Sequence, residues 1–163
     1  MNNSKLIVLV EPELKEVLLF EWAMKRLHVR NPVRVMQKTR ELREYLEGEG
    51  PYKNRELFPV PRVILLDMDL PGLEAANFLH WLRKESGHRD ILLIGMSKFE
   101  VSRRVQAFLD LGMNAFFQKR INLDDTLQCL REMELLDEVL DRQSERVLEQ
   151  EAWMGDEARG PHC

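Results

Sequence analysis

Arg62-Val63-Ile64-Leu65-Leu66-Asp67-Met68-Asp69-Leu70-Pro71-Gly72 is the stretch that decides how this chain is read. Four consecutive apolar residues run into an aspartate, and a proline-glycine turn follows. A short unbroken apolar run bounded by turn residues suits a strand buried on both faces. Such a strand delivers Asp67 to the edge of a sheet, where a carboxylate is available for chemistry.

The pattern recurs along the chain. Lys5-Leu6-Ile7-Val8-Leu9-Val10 ends at Glu11-Pro12 and reads as a first strand. Leu14, Val17, Phe20, Met24 and Leu27 recur at helical spacing behind it. Pro32–Met36 is a weaker strand, and Thr39 is placed to cap a helix through Leu42, Tyr45 and Leu46. Residues 47–61 carry Gly, Pro and charge without periodicity and read as a long loop, with Tyr52, Leu57 and Phe58 tucked down. After the Val63–Leu66 strand, Ala75, Phe78, Leu79 and Leu82 mark a helix. Ile91–Ile94 is a fourth strand, ending at Gly95-Met96-Ser97. Val101, Val105, Phe108 and Leu109 mark a helix stopped by Gly112. Ala115–Phe117 is a fifth strand ending at Gln118-Lys119, and a last helix opens near Asn122. Trp22 and Trp81 fit helix faces packed on the sheet.

Strands and helices alternate five times. Right-handed crossovers then give an α/β fold: a doubly wound parallel sheet of five strands, covered on both faces. In such sheets the site lies beyond the carboxyl ends of the strands. The residues there are Glu11, Asp67, Ser97 and Lys119, from four different strands, and their convergence is the functional signal. Two close carboxylates repel, and a hard cation such as magnesium relieves that. A lysine and a hydroxyl nearby can hold phosphoryl oxygens, so an aspartate among them is suited to attack phosphorus.

Composition sets the frame. The 163 residues are 44% hydrophobic and 32% charged, with a net charge of −4. Residues 131–159 carry ten acids and four arginines, a net of −6, which argues against a nucleic-acid-binding tail. No apolar run is long enough for a membrane span, and the N-terminal run is too short for a signal peptide. The expectation is a cytoplasmic protein. Cys129 and Cys163 form no ligand or redox pair, and the four histidines show no zinc spacing. No phosphate-binding glycine loop or nucleophile elbow is present.

The spacing of the four residues resembles the receiver domain of bacterial response regulators, the CheY-like family, over about residues 5–135. In that family the phosphoacceptor aspartate is followed after thirty residues by Thr/Ser and after twenty-two more by lysine; here these are Asp67, Ser97 and Lys119. Phe116 takes the family's aromatic switch position, and Leu70-Pro71-Gly72 matches the turn after the phosphoacceptor. The resemblance implies the flavodoxin-like strand order 2-1-3-4-5. It also implies a metal site of Glu11, Asp67 and the Asp69 backbone carbonyl. The implied function is a single-domain response regulator of a two-component system, not an enzyme. It would be phosphorylated by a histidine kinase or phosphotransfer protein and would signal to a downstream protein by contact. Gly50-Pro51-Tyr52 and Pro59–Pro61 look like the loop of the small stand-alone phytochrome-associated type.

Two positions depart from the family. Pro12 stands where a second, metal-binding acid is usual, which implies weakened Mg²⁺ binding. Arg120 stands where a cis proline usually follows the lysine. The alternative reading is therefore a pseudo-receiver, an interaction module independent of phosphate. Asp67-x-Asp69 also superficially fits a haloacid dehalogenase phosphatase, but no second acidic pair follows the later strand. Ser97-x-x-Glu100 doubles as a capping box for the next helix. Residues 1–135 are expected to form the receiver domain. Residues 136–163 form a C-terminal extension, helical to about Met154 and disordered beyond, that docks on its own domain or serves as a homodimer arm.

Overall fold

The computed structural model describes residues 5–99, 101–119, 128 and 131. A five-stranded, all-parallel sheet forms in the order β2-β1-β3-β4-β5. The strands are β1 (Ile7–Val10), β2 (Val33–Met36), β3 (Val63–Asp67), β4 (Leu92–Ser97) and β5 (Ala115–Gln118). Between them run α1 (Leu14–Arg26), α2 (Thr39–Glu47), α3 (Glu74–Lys84) and α4 (Ser102–Asp110). The expected flavodoxin-like order is the observed one.

Two apolar layers explain why the central strands are apolar throughout. Ile7, Leu9, Val63 and Leu65 meet Val17, Phe20, Ala23 and Met24 of α1. Their neighbours Val8, Val10, Ile64 and Leu66 point the other way, into the cluster with Leu42, Tyr45, Leu46, Phe78, Leu79 and Leu82. Alternate residues of one strand thus serve opposite faces. Gly95 of β4 is squeezed in the second layer: a Cβ there would meet the Met113 and Met68 side chains, the latter's sulfur at 2.7 Å.

The loop after α2 is closed by its own chemistry. Gly48 adopts φ +68, and Glu49 N–H donates to Glu44 O at 2.9 Å, a left-handed helix stop. The Arg55 guanidinium then caps the helix end, donating to Tyr45 O at 2.8 Å and Leu46 O at 2.5 Å. Tyr52 and Phe58 pack on Tyr45, with ring centroids 5.0 and 6.1 Å away. A short 3₁₀ turn, Gly50–Tyr52, breaks what periodicity alone reads as structureless.

Several side chains differ from expectation. Leu57 is 67% exposed instead of tucked, because Arg55 and the two rings already fill the space beneath the loop. Trp22 is 57% exposed: the buried stripe of α1 runs through Phe20, Ala23 and Met24, leaving Trp22 on the outer face under the Arg26 guanidinium. Trp81 is buried as expected. Thr39 does not cap α2; it is the helix's first residue, and its hydroxyl and N–H both donate to Glu74 Oε1. Strand β4 extends to Ser97, since Gly95, Met96 and Ser97 pair with Phe116, Phe117 and Gln118. The last helix, Cys129, Trp153 and the Lys119–Arg120 bond lie outside the described residues. Among the described residues, no helix is long and apolar enough to cross a membrane.

Truncating Leu66→Ala, fully buried between two strands, should cost about 2–5 kcal/mol. Urea unfolding checks this: an unchanged midpoint would contradict the packing described.

Candidate functional site

The sheet register assembles the site. Val10 pairs with Leu66, so Glu11 emerges beside Asp67. Asp67 pairs with Met96, which places Ser97 one step beyond. Lys119 N–H donates to Ser97 O at 2.8 Å, continuing the ladder one residue past β5. Four residues distant in sequence therefore meet at one edge because their strands end in step.

The Lys119 ammonium is buried between two carboxylates. It lies 2.5 Å from Glu11 Oε2 and 3.1 Å from Asp67 Oδ1. Asp69 N–H donates to the same Asp67 oxygen at 2.9 Å. Burial pushes the Glu11 carboxyl above its ordinary value, the Lys119 hydrogen bond pulls it back, and the Asp67 charge pushes it up again. Burial would lower the Lys119 amine, but the Glu11 hydrogen bond and the Asp67 and Glu11 charges hold it above its usual value.

Asp69 has a different setting. Ser97 Oγ–H donates to its Oδ1 at 2.7 Å and Lys98 N–H to its Oδ2 at 2.9 Å. Arg104, on the first turn of α4, lies 3.1 Å from Oδ1 and also donates to Met68 O. Burial raises the Asp69 carboxyl, but the bonds from Ser97, Lys98 and Arg104 together hold it below its usual range. Ser97 is not the N-cap of α4, which starts at Ser102 after Val101; Glu100 of the expected capping box lies outside the described residues, and the Ser97 hydroxyl serves Asp69 while accepting from Phe99 N–H at 3.0 Å. Phe116 is half-buried against the core. Glu13 takes the Lys98 ammonium at 2.8 and 2.9 Å.

The structure puts Glu11, Asp67, Ser97 and Lys119 at the one sheet edge where the sequence expectation had them. Glu13, which strand register was expected to turn elsewhere, pairs with Lys98, and Arg104 and Lys98 were not anticipated. A clue to Arg104 existed. A basic residue in the first turn of a helix works against the helix dipole, and so points to a specific acidic partner.

Glu11 and Asp67 are a hard, oxygen-rich pair whose mutual repulsion one ammonium only partly relieves, so they fit a divalent cation of the magnesium class. Among the described residues no three Asp, Glu, His or Cys side chains gather as a metal-holding group.

Asp69→Asn tests the electrostatics. A carboxyl held below its unfolded value of 3.8 contributes stability above that pH, and the contribution is lost as pH falls through the folded value. The variant should therefore be less stable at neutral pH and converge with the wild type in acid. Thermal unfolding from pH 7 to pH 2 reads this; parallel curves would refute it.

No protein-family model matches the chain. Response regulator Rcp1 of Synechocystis is 23% identical over 133 residues, covering 82% of this chain and 88% of Rcp1. Rcp1 also has a solved Mn²⁺-bound form, with a TM-score of 0.67 at 20% identity over 83% of this chain and 98% of that one. The phosphorylated cyanobacterial phytochrome response regulator RcpA matches with a TM-score of 0.66 and 26% identity, covering 80% of this chain and 91% of its own. The bacteriophytochrome response regulator RtBRR matches with a TM-score of 0.70 and 25% identity, covering 98% of this chain and 99% of its own. In fold and in sequence the chain is similar to response regulator receiver domains, phytochrome-associated members of that family among them.

Proposed function

We propose that Asp67 accepts a phosphoryl group from a histidine kinase or phosphotransfer protein, and that the chain acts as a single-domain response regulator signalling by protein contact. The observation that carries this reading is the Lys119 ammonium within 3.1 Å of Asp67 and 2.5 Å of Glu11. A carboxylate oxygen of Asp67 attacks phosphorus, the bond from phosphorus to the donor nitrogen breaks, and the donor imidazole keeps the electron pair. An acyl phosphate results. Lys119 pairs with the added oxygens, and the Ser97 hydroxyl turns from Asp69 to donate to one of them. Glu11, Asp67 and the Asp69 carbonyl would hold Mg²⁺, which when bound neutralises charge on the transferring group. Catalysis is then mainly positioning and charge stabilisation.

The Phe116 ring has no hydroxyl to follow Ser97 when it turns. Arg104 offers another link, because it joins α4 to Asp69, the partner that Ser97 gives up. The surface of α4 and β5 is where the change is read by a partner. The similarity to phytochrome-associated regulators favours a light-sensing kinase as the donor, and the chain would work in the cytoplasm.

Incubation with acetyl phosphate and Mg²⁺, followed by intact mass, should add one phosphoryl group to the wild type and none to Asp67→Asn. Lys119→Met should slow labelling about 10²-fold, the scale of losing one charge-stabilising donor. Absence of a wild-type adduct would defeat the proposal.

A further inference from the structure

We propose that Glu13 supplies the carboxylate that Pro12 cannot, exchanging the Lys98 ammonium for the divalent cation at Glu11 and Asp67. This rests on the receiver reading above and names a ligand which that reading lacks.

Glu13 N–H donates to Glu11 Oε1 at 3.2 Å, so residue 13 stands directly against the Glu11 carboxylate. Both Glu13 oxygens already grip a cation, the Lys98 ammonium, at 2.8 and 2.9 Å. Lys98 is fixed on the same rim, because its N–H donates to Asp69 Oδ2 at 2.9 Å. A positive charge thus sits on a two-oxygen grip between residues whose backbones bond to Glu11 and to Asp69.

The two lysines differ in how readily they can be replaced. Lys119 is buried with Glu11, and parting them would leave a charge stranded. The Lys98 and Glu13 side chains are 32% and 50% exposed, so their pair is screened by water and weak. A hard divalent cation carries twice the charge of an ammonium and prefers carboxylate oxygens. The β1–α1 loop is short, and residue 13 has one more methylene than an aspartate with which to reach back. On binding, Glu13 leaves Lys98, and the tie between the β1–α1 and β4–α4 loops opens.

Mn²⁺ titration followed by the electron paramagnetic resonance of free Mn²⁺ tests this without any phosphodonor. Glu13→Gln should weaken binding tenfold or more, and Lys98→Met should tighten it several-fold by removing the competitor. Both substitutions break the same ion pair. Loss of a nearby charge alone would also give opposite signs, so Glu13→Asp, which keeps the charge and shortens the reach, is measured beside them: weakened Mn²⁺ binding marks a ligand, and wild-type affinity marks a through-space effect that overturns the inference. Equal affinities for wild type and Glu13→Gln, or weakening by both Glu13→Gln and Lys98→Met, would overturn the inference. If Asp67→Asn alone loses Mn²⁺, the receiver site stands and only the role of Glu13 falls. If wild type and Asp67→Asn bind alike, both readings fall.

Discussion

A single ammonium, that of Lys119, holds this end of the molecule together. Glu11 and Asp67 emerge side by side from β1 and β3 because the strand register leaves them no alternative. Two buried carboxylates so placed repel strongly in a poorly solvated setting. Lys119, brought in by one hydrogen bond beyond β5, makes the arrangement tolerable. It does not make it neutral, and the residual negative charge gives the pocket its chemistry. The same buried geometry means that Lys119 cannot be traded for solvent without leaving its partners exposed to each other.

The second carboxylate system, around Asp69, is organised on opposite lines. Its charge is met by a hydroxyl, a backbone N–H and a guanidinium. The result is two neighbouring acids with their proton affinities pushed apart: Glu11 up and Asp69 down. Asp69 gathers Ser97, Lys98 and Arg104 into one arrangement, while Asp67 is left with an oxygen facing the pocket's cation.

Much of this was legible in the sequence, for definite reasons. The strands are buried on both faces, so their apolar runs are continuous and hard to misread. The site residues follow directly from strand ends, so spacing in sequence became proximity in space. Side-chain direction on helices was less legible. Leu14 sits at helical spacing with Val17, yet falls on the outer face with Trp22, because a stripe of apolar residues does not declare where its buried edge lies. Ser97 could be read as a cap or as a site residue. It serves the site because the sheet pairing of Gly95 to Ser97 delays the start of α4. Glu13 and Lys98 had no periodic signal, since their contacts depend on how loops cross above the sheet, and the reach of Arg104 from the first turn of α4 depends on where that helix begins.

Arg104 reaches from the first turn of α4 to two points at the tip of β3, the Met68 carbonyl and the Asp69 carboxylate, while its own guanidinium lies over the Phe108 ring one turn along. The helix is thereby yoked to the strand by a side chain instead of by backbone. Were Asp67 to take up the phosphoryl group proposed above, the added charge at the strand tip would pull on a lever arm whose far end is an outer helix. The exterior would be re-aimed over a rigid interior, and a small chemical event would become visible to another macromolecule.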